Sequence, residues 1–108
     1  MPSGGSAYAR FRRALKTGNM VIIQAAAREL PQVSLPDALS VCAVLADGPR
    51  ERYERAAVRW LGRFCAERRP DLSELQRAVA ALHLLPLQRE TALQALQEVA
   101  GLPHPVAG

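Results

Sequence analysis

The side chains with the most capacity for chemistry in this sequence are its arginines, and they are unevenly placed. Residues 1–16 carry Arg10, Arg12, Arg13 and Lys16 without an acid, a net of +4. Residues 50–69 carry Arg50, Arg52, Arg55, Arg59, Arg63, Arg68 and Arg69 against Glu51, Glu54 and Glu67, again a net of +4. The remainder sums to −4, so the formal +4 of the whole chain hides two concentrated cationic segments. Guanidinium groups hold phosphate and carboxylate through paired N–H donors, which makes anion binding the chemistry on offer. At 100° per residue, Arg52, Arg55, Arg59 and Arg63 fall in one narrow helical stripe. With Arg10 and Arg13 of the first segment, they are the candidate anion-binding or partner-binding residues.

Three readings fit such a stripe. It can line up along a nucleic-acid backbone, or it can dock an acidic protein partner. It can also be a solvated face in which Glu51 pairs with Arg55 and Arg63 with Glu67, the long stems covering the edge of the core. Thirteen arginines against one lysine, among many Ala, Pro and Gly, is the signature of GC-rich coding. The placement of the arginines therefore carries more weight than their number.

No other constellation has the spacing of a catalytic or metal site. His83 and His104 are the only histidines, and with the isolated Cys42 and Cys65 they make no metal-binding pattern, so no metal and no cofactor is expected. The two cysteines read as free thiols on helices, each acting as a small hydrophobe. Phosphate-binding, dinucleotide-binding, serine-hydrolase and zinc-protease motifs do not occur. Glu51 and Glu54 share a turn with arginines, which keeps them ionised and unsuited to general-acid work. An enzyme is not expected, and no small-molecule substrate is evident.

What must position these residues is a set of helices. Ala and Leu make up about a third of the 108 residues while aromatics are only 5%, a balance that favours helix. Apolar residues Tyr8, Phe11 and Leu15 recur at helical spacing from Ala7, with Gly18 as the terminating residue. Asn19 can cap a second helix over 20–30, stopped by Pro31. Ser34 can cap a third, with Pro36 in its first turn, a stripe of Leu35, Leu39, Cys42 and Leu45, and Gly48 closing it. A long fourth helix opens at Pro49 and runs to about Arg69, with Tyr53, Ala57, Trp60, Leu61 and Phe64 on one face. Asp71 and Glu74 form a capping box for a fifth, whose stripe is Leu72, Leu75, Val79 and Leu82. The sixth spans 87–100, with Ala92, Leu96 and Val99 inward and Gly101 at its end.

These six segments predict an all-α domain, a compact bundle of three antiparallel helical hairpins. Residues 1–6 are expected to be flexible, 7–101 to form a single helical domain and 102–108 to be a loose tail. Ser34, Leu35, Asp37 and Leu45 superimpose on Asp71, Leu72, Glu74 and Leu82 at a shift of 37 residues, and Pro49 on Pro86. This pattern resembles HEAT-type helical-hairpin repeats, which implies two-helix units stacked to bury one core. Separately, residues 25–45, reading AAARELPQVSLPDALSVCAVL, resemble the helix-turn-helix of bacterial regulators, which would imply DNA binding through the second helix. The turn departs from that motif in holding Pro31 and Gln32, and the recognition positions hold Leu35, Pro36, Asp37, Ala38 and Ser40 instead of Arg, Asn or Gln.

The second helix is apolar all round, with Met20, Val21, Ile22 and Ile23 followed by alanines and only Gln24 polar in its first two turns. It is either the central, fully buried helix or a surface covered by a partner or a second copy, and Met20, Val21, Ile22 and Ile23 are then the interface. No stretch approaches the roughly 20 apolar residues of a bilayer span, and no leader is evident, so a cytoplasmic location without membrane contact is expected. The favoured function is a small non-enzymatic protein-interaction module, adaptor or accessory, with a basic surface, binding a protein partner or itself. The alternative is a nucleic-acid-binding regulator using the Arg-rich first and fourth helices.

Overall fold

Short polar side chains decide where three of the helices begin. In the computed structural model, which describes residues 4–101, Asn19 Oδ1 accepts from the backbone N–H of Val21 at 2.9 Å and Ile22 at 3.4 Å. Ser34 Oγ accepts from the N–H of Asp37 at 3.3 Å. Asp71 Oδ1 accepts from Glu74 N–H at 2.8 Å while Glu74 Oε1 accepts from Asp71 N–H at 2.9 Å, the reciprocal capping box the sequence predicts. Each such cap contributes about 1 kcal/mol.

Among the described residues six helices result: α1 (Gly4–Thr17), α2 (Met20–Ala27), α3 (Leu35–Leu45), α4 (Arg50–Arg68), α5 (Leu72–Leu84) and α6 (Arg89–Ala100). Among the described residues no strand occurs, and the chain is all-α. Gly18 and Gly101 sit past helix ends with φ of +68° and +64°, the left-handed geometry that ends a helix most cheaply at glycine. Arg69, at the C-cap of α4 just before Pro70, adopts the same left-handed conformation, φ +49°. The first helix begins at Gly4, before the expected Ala7. Of the start expected to be flexible at 1–6, residues 4–6 are the first turn of α1, while residues 1–3 and the expected loose tail at 102–108 lie outside the described residues.

Consecutive helices pair as three hairpins, α1 with α2, α3 with α4, and α5 with α6, spread along a long axis of 45 Å. Between hairpins the contact is thinner: α4 touches α5, and α1 and α2 both touch α3. The larger core lies among α3 to α6 and is built on Leu35, Leu39, Tyr53, Trp60, Phe64, Leu82, Leu85 and Leu96. Trp60 and Phe64 stack with ring centroids 5.4 Å apart. A smaller core of Phe11, Ala14 and Ile23 sits between α1 and α2 and reaches Val41 and Val44 on the other side of α3.

α3 is thus the central helix, a place the sequence had offered to α2. α2 is eight residues long and peripheral, with Val21 77% and Ile22 46% exposed. It stops at Ala27, short of the expected residue 30, and the backbone then tightens into i→i−3 bonds from Glu29 and Leu30. An apolar composition cannot say which face is covered, and here α1 and α3 cover only the side that carries Ile23. Two further expectations are corrected. Leu72, assigned to the inward stripe of α5, is 73% exposed, and Ala78 and Ala81 face the core instead. Leu87, assigned to α6, lies in the turn before it and is exposed, while Leu85 is buried.

Candidate functional site

The six candidate arginines divide into those that hold the fold together and those left to solvent. Arg10 of α1 pairs with Glu29 beyond the end of α2. Arg63 of α4 donates from Nε to Glu67 at 2.9 Å and from Nη1 to the carbonyl of Val33 at 2.8 Å, fastening α4 to the segment that enters α3. Arg13, Arg52, Arg55 and Arg59 are exposed and have no ion pair among the described residues. Of the two i, i+4 pairs expected on α4, Arg63 with Glu67 is present; the other acid–base pair along that helix is Arg50 with Glu54 at 3.1 Å. Arg59 lies close enough to Cys42 for its charge to oppose, weakly, the burial that pushes the thiol up to about 11.

The polar centre of α1's attachment is Asp37, a buried carboxylate the sequence reading had placed at an unproductive recognition position. Its Oδ1 accepts from Tyr8 Oη and from Arg12 Nη1, both at 3.2 Å, and its Oδ2 accepts from Ser34 Oγ at 3.0 Å. Burial, and then the Asp37 charge and hydrogen bond, raise the Tyr8 hydroxyl, with Arg12 opposing. The first turn of α3, which the helix-turn-helix resemblance would send into a DNA groove, is therefore occupied: Leu35, Asp37 and Leu39 are buried. Its signal in the sequence was the Ser34-to-Asp37 cap spacing, which said where the helix starts and nothing of what Asp37 would receive from α1.

Two concave surfaces stand out among the described residues. The first is a shallow cleft of about 420 Å³ between α1 and α2, lined by Arg10, Arg13, Ala14 and Thr17 on one wall and Ile22, Ala25, Ala26 and Glu29 on the other. It brings together members of the two predicted sets, Arg10 and Arg13 of α1 and Ile22 of α2. Within the second set, Val21 and Ile22 are exposed, Met20 packs on the smaller core and Ile23 is buried in it, so Ile23 is a core residue and not part of an interface.

The second surface is a groove of about 520 Å³ between α4 and α5, which sequence reasoning missed. Tyr53, Ala57, Val58 and Leu61 form its α4 wall, Val79, Leu82 and His83 its α5 wall, and Pro86 and Leu87 close one end. It exists because α4 meets α5 less closely than each meets its hairpin partner. Tyr53 Oη donates to the Leu82 carbonyl on its floor, and burial, followed by the nearby Cys42, pushes the Tyr53 phenol up to about 12. The signal available in the sequence was an excess: Val58 on α4 and Leu87 in the turn are large apolar residues outside any predicted stripe.

Among the described residues, no group of three or more His, Cys, Asp and Glu side chains comes together, and no helix is long and apolar enough to cross a membrane. Comparison with known proteins finds no matching family model, no similar curated protein and no matching solved structure.

Proposed function

We propose that this chain is a non-enzymatic helical protein-interaction module that receives an acidic, amphipathic segment of a partner protein on its α1–α2 face. The observation that carries the reading is the common cleft of Arg13 and Ile22. α1 supplies cationic donors without an acid of its own, and Arg13 is left without an ion pair among the described residues. Across the cleft, α2 presents Ile22, 46% exposed, with Ala25 and Ala26, an uncovered apolar wall facing charge. A segment that alternates carboxylates with large apolar side chains satisfies both, the apolar part supplying affinity and the charge supplying orientation and on-rate. A phosphate backbone would answer Arg13 and leave Ile22 exposed.

The test is selection of displayed peptides on the immobilised protein, with the Arg13→Glu, Ile22→Glu double variant as the counter-target. Enriched peptides should combine Asp or Glu with spaced apolar residues and lose about tenfold or more in affinity on the double variant, or about 1.4 kcal/mol. Peptides without acids, or ones that bind both proteins equally, would overturn the reading.

One observation favours a second reading. Arg52, Arg55 and Arg59 keep exposed guanidinium groups along α4 with no ion pair among the described residues. Mixed-sequence duplex DNA that binds wild type more tightly than the selected peptides, with affinity falling steeply as salt rises, would replace peptide docking with nucleic-acid binding.

A further inference from the structure

From the groove between α4 and α5 we infer a binding site for a long-chain anionic amphiphile, such as a fatty carboxylate, independent of the α1–α2 face. At about 520 Å³ the groove falls within the roughly 300–1,000 Å³ of small-molecule sites. Its walls are apolar, Val58 and Leu61 against Val79 and Leu82, and it extends from Arg50 to Leu61 along α4, about 16 Å at the helical rise. A trough of that length and lining suits a single extended hydrocarbon chain. Val58 is 68% exposed and Leu87 83%, so two of its large side chains stand in water until something covers them.

The polar groups of the groove are confined to its other end. Arg50 and His83 stand there with Glu54, near the Pro86–Leu87 turn. Glu54 accepts from Arg50 Nε at 3.1 Å, so the two charges largely offset each other and an anion here is held by hydrogen-bond donors and not by net charge. That bond uses one of five guanidinium N–H donors, and the others have no partner among the described residues. A carboxylate head beside Arg50 with its tail running toward Leu61 matches this order of polar and apolar groups.

The test titrates the full chain, followed by backbone NMR, with sodium dodecanoate below its micelle concentration and with dodecanol as the uncharged arm. Shifts should centre on Val58, Leu61, Leu82 and Leu87, and shortening the chain should weaken binding about fourfold per methylene removed. Arg50→Gln should weaken dodecanoate about tenfold while leaving dodecanol nearly unchanged, as expected for one charge-assisted bond. Val58→Glu and Leu87→Glu, both at exposed positions and checked for retained helicity, should abolish binding of either ligand. Unchanged binding by these two variants, or shifts spread equally over Val21, Ile22 and Leu72, would overturn the site and leave the α1–α2 reading standing. Equal loss of dodecanoate and dodecanol in Arg50→Gln would overturn the placement of the head.

Discussion

The indole N–H of Trp60 donates to the carbonyl oxygen of Leu35 across 2.9 Å, joining the middle of α4 to the first residue of α3. The ring is at the same time stacked on Phe64 and buried in the larger core. Trp60→Ala should therefore cost about 3 to 5 kcal/mol, from lost burial and the cavity left behind. Trp60→Phe keeps most of the apolar contact and loses the donor, which predicts a loss of about 1 kcal/mol. Urea denaturation measures both; an unchanged midpoint for the alanine variant would mean that α4 does not face α3 in this way.

Asp37 gathers Tyr8, Arg12 and Ser34 at the start of α3, and it is the polar contact between α1 and α3. Asp37→Ala strands those donors and removes the acid from a partly buried pair, for a cost of about 2 kcal/mol after allowing for the exposure of Arg12. Among the described residues the smaller core has three buried side chains, so the loss should be local. Hydrogen exchange in this variant should speed up across α1 and α2 and stay slow in α4 and α5. Uniform acceleration would show that the two cores unfold as one.

The two thiols should differ sharply. Cys65 is exposed and Cys42 is buried, with its pKa pushed up to about 11 by desolvation. At neutral pH one thiol should react promptly with an aromatic disulfide reagent and the second only on unfolding. The same burial gives an alkaline limit to stability. Cys42 rises from 9.0 to about 11 and Tyr53 from 10.0 to about 12, so each is held neutral by the fold. Their contribution is complete below pH 9 and is lost as pH climbs toward 12, the unfolded chain giving up these protons first. Midpoints measured from pH 8 to 11.5 should fall, and Cys42→Ala should flatten the part between 9 and 11.

Much of the fold was legible because local chemistry and global packing agree. Asn19, Ser34 and Asp71 cap where their types predict, and Gly18 and Gly101 terminate helices as the sequence says. The aromatic face of α4 packs inward as its spacing requires. What could not be read was the choice between equally apolar faces. Leu72 and Ala78 are both compatible with an inward stripe, and only the position of α6 and α4 around α5 makes Ala78 the buried one. The candidate surfaces had the same difficulty. Arg13 and Ile22 belong to different helices, and their meeting depends on how α1 turns back through Gly18 and Asn19. The groove depends on the splay of α4 from α5, which no residue type encodes alone.

Arg59 and Arg63 occupy one stripe in the sequence and have opposite roles in the structure. Arg63 fixes the entry to α3 through Val33 and is further held by Glu67, whereas Arg59 is exposed and has no ion pair among the described residues. Arg63→Ala should destabilise by about 1 to 2 kcal/mol, the value of a charge-assisted bond to a partly buried carbonyl with some help from an exposed pair. Arg59→Ala should stay within about 0.5 kcal/mol of wild type, as a surface change away from such contacts does. Affinity for a polyanion such as heparin should divide in the other direction. Arg55→Glu with Arg59→Glu should retain helicity and weaken heparin binding strongly, because it removes two guanidinium groups that pair with no acid among the described residues. Arg63→Ala should weaken it little, since that charge is spent on Glu67 and Val33. Equal losses of heparin affinity in the two proteins would show that Arg63 leaves its contacts to meet the anion, and the division of the stripe into structural and available arginines would fail.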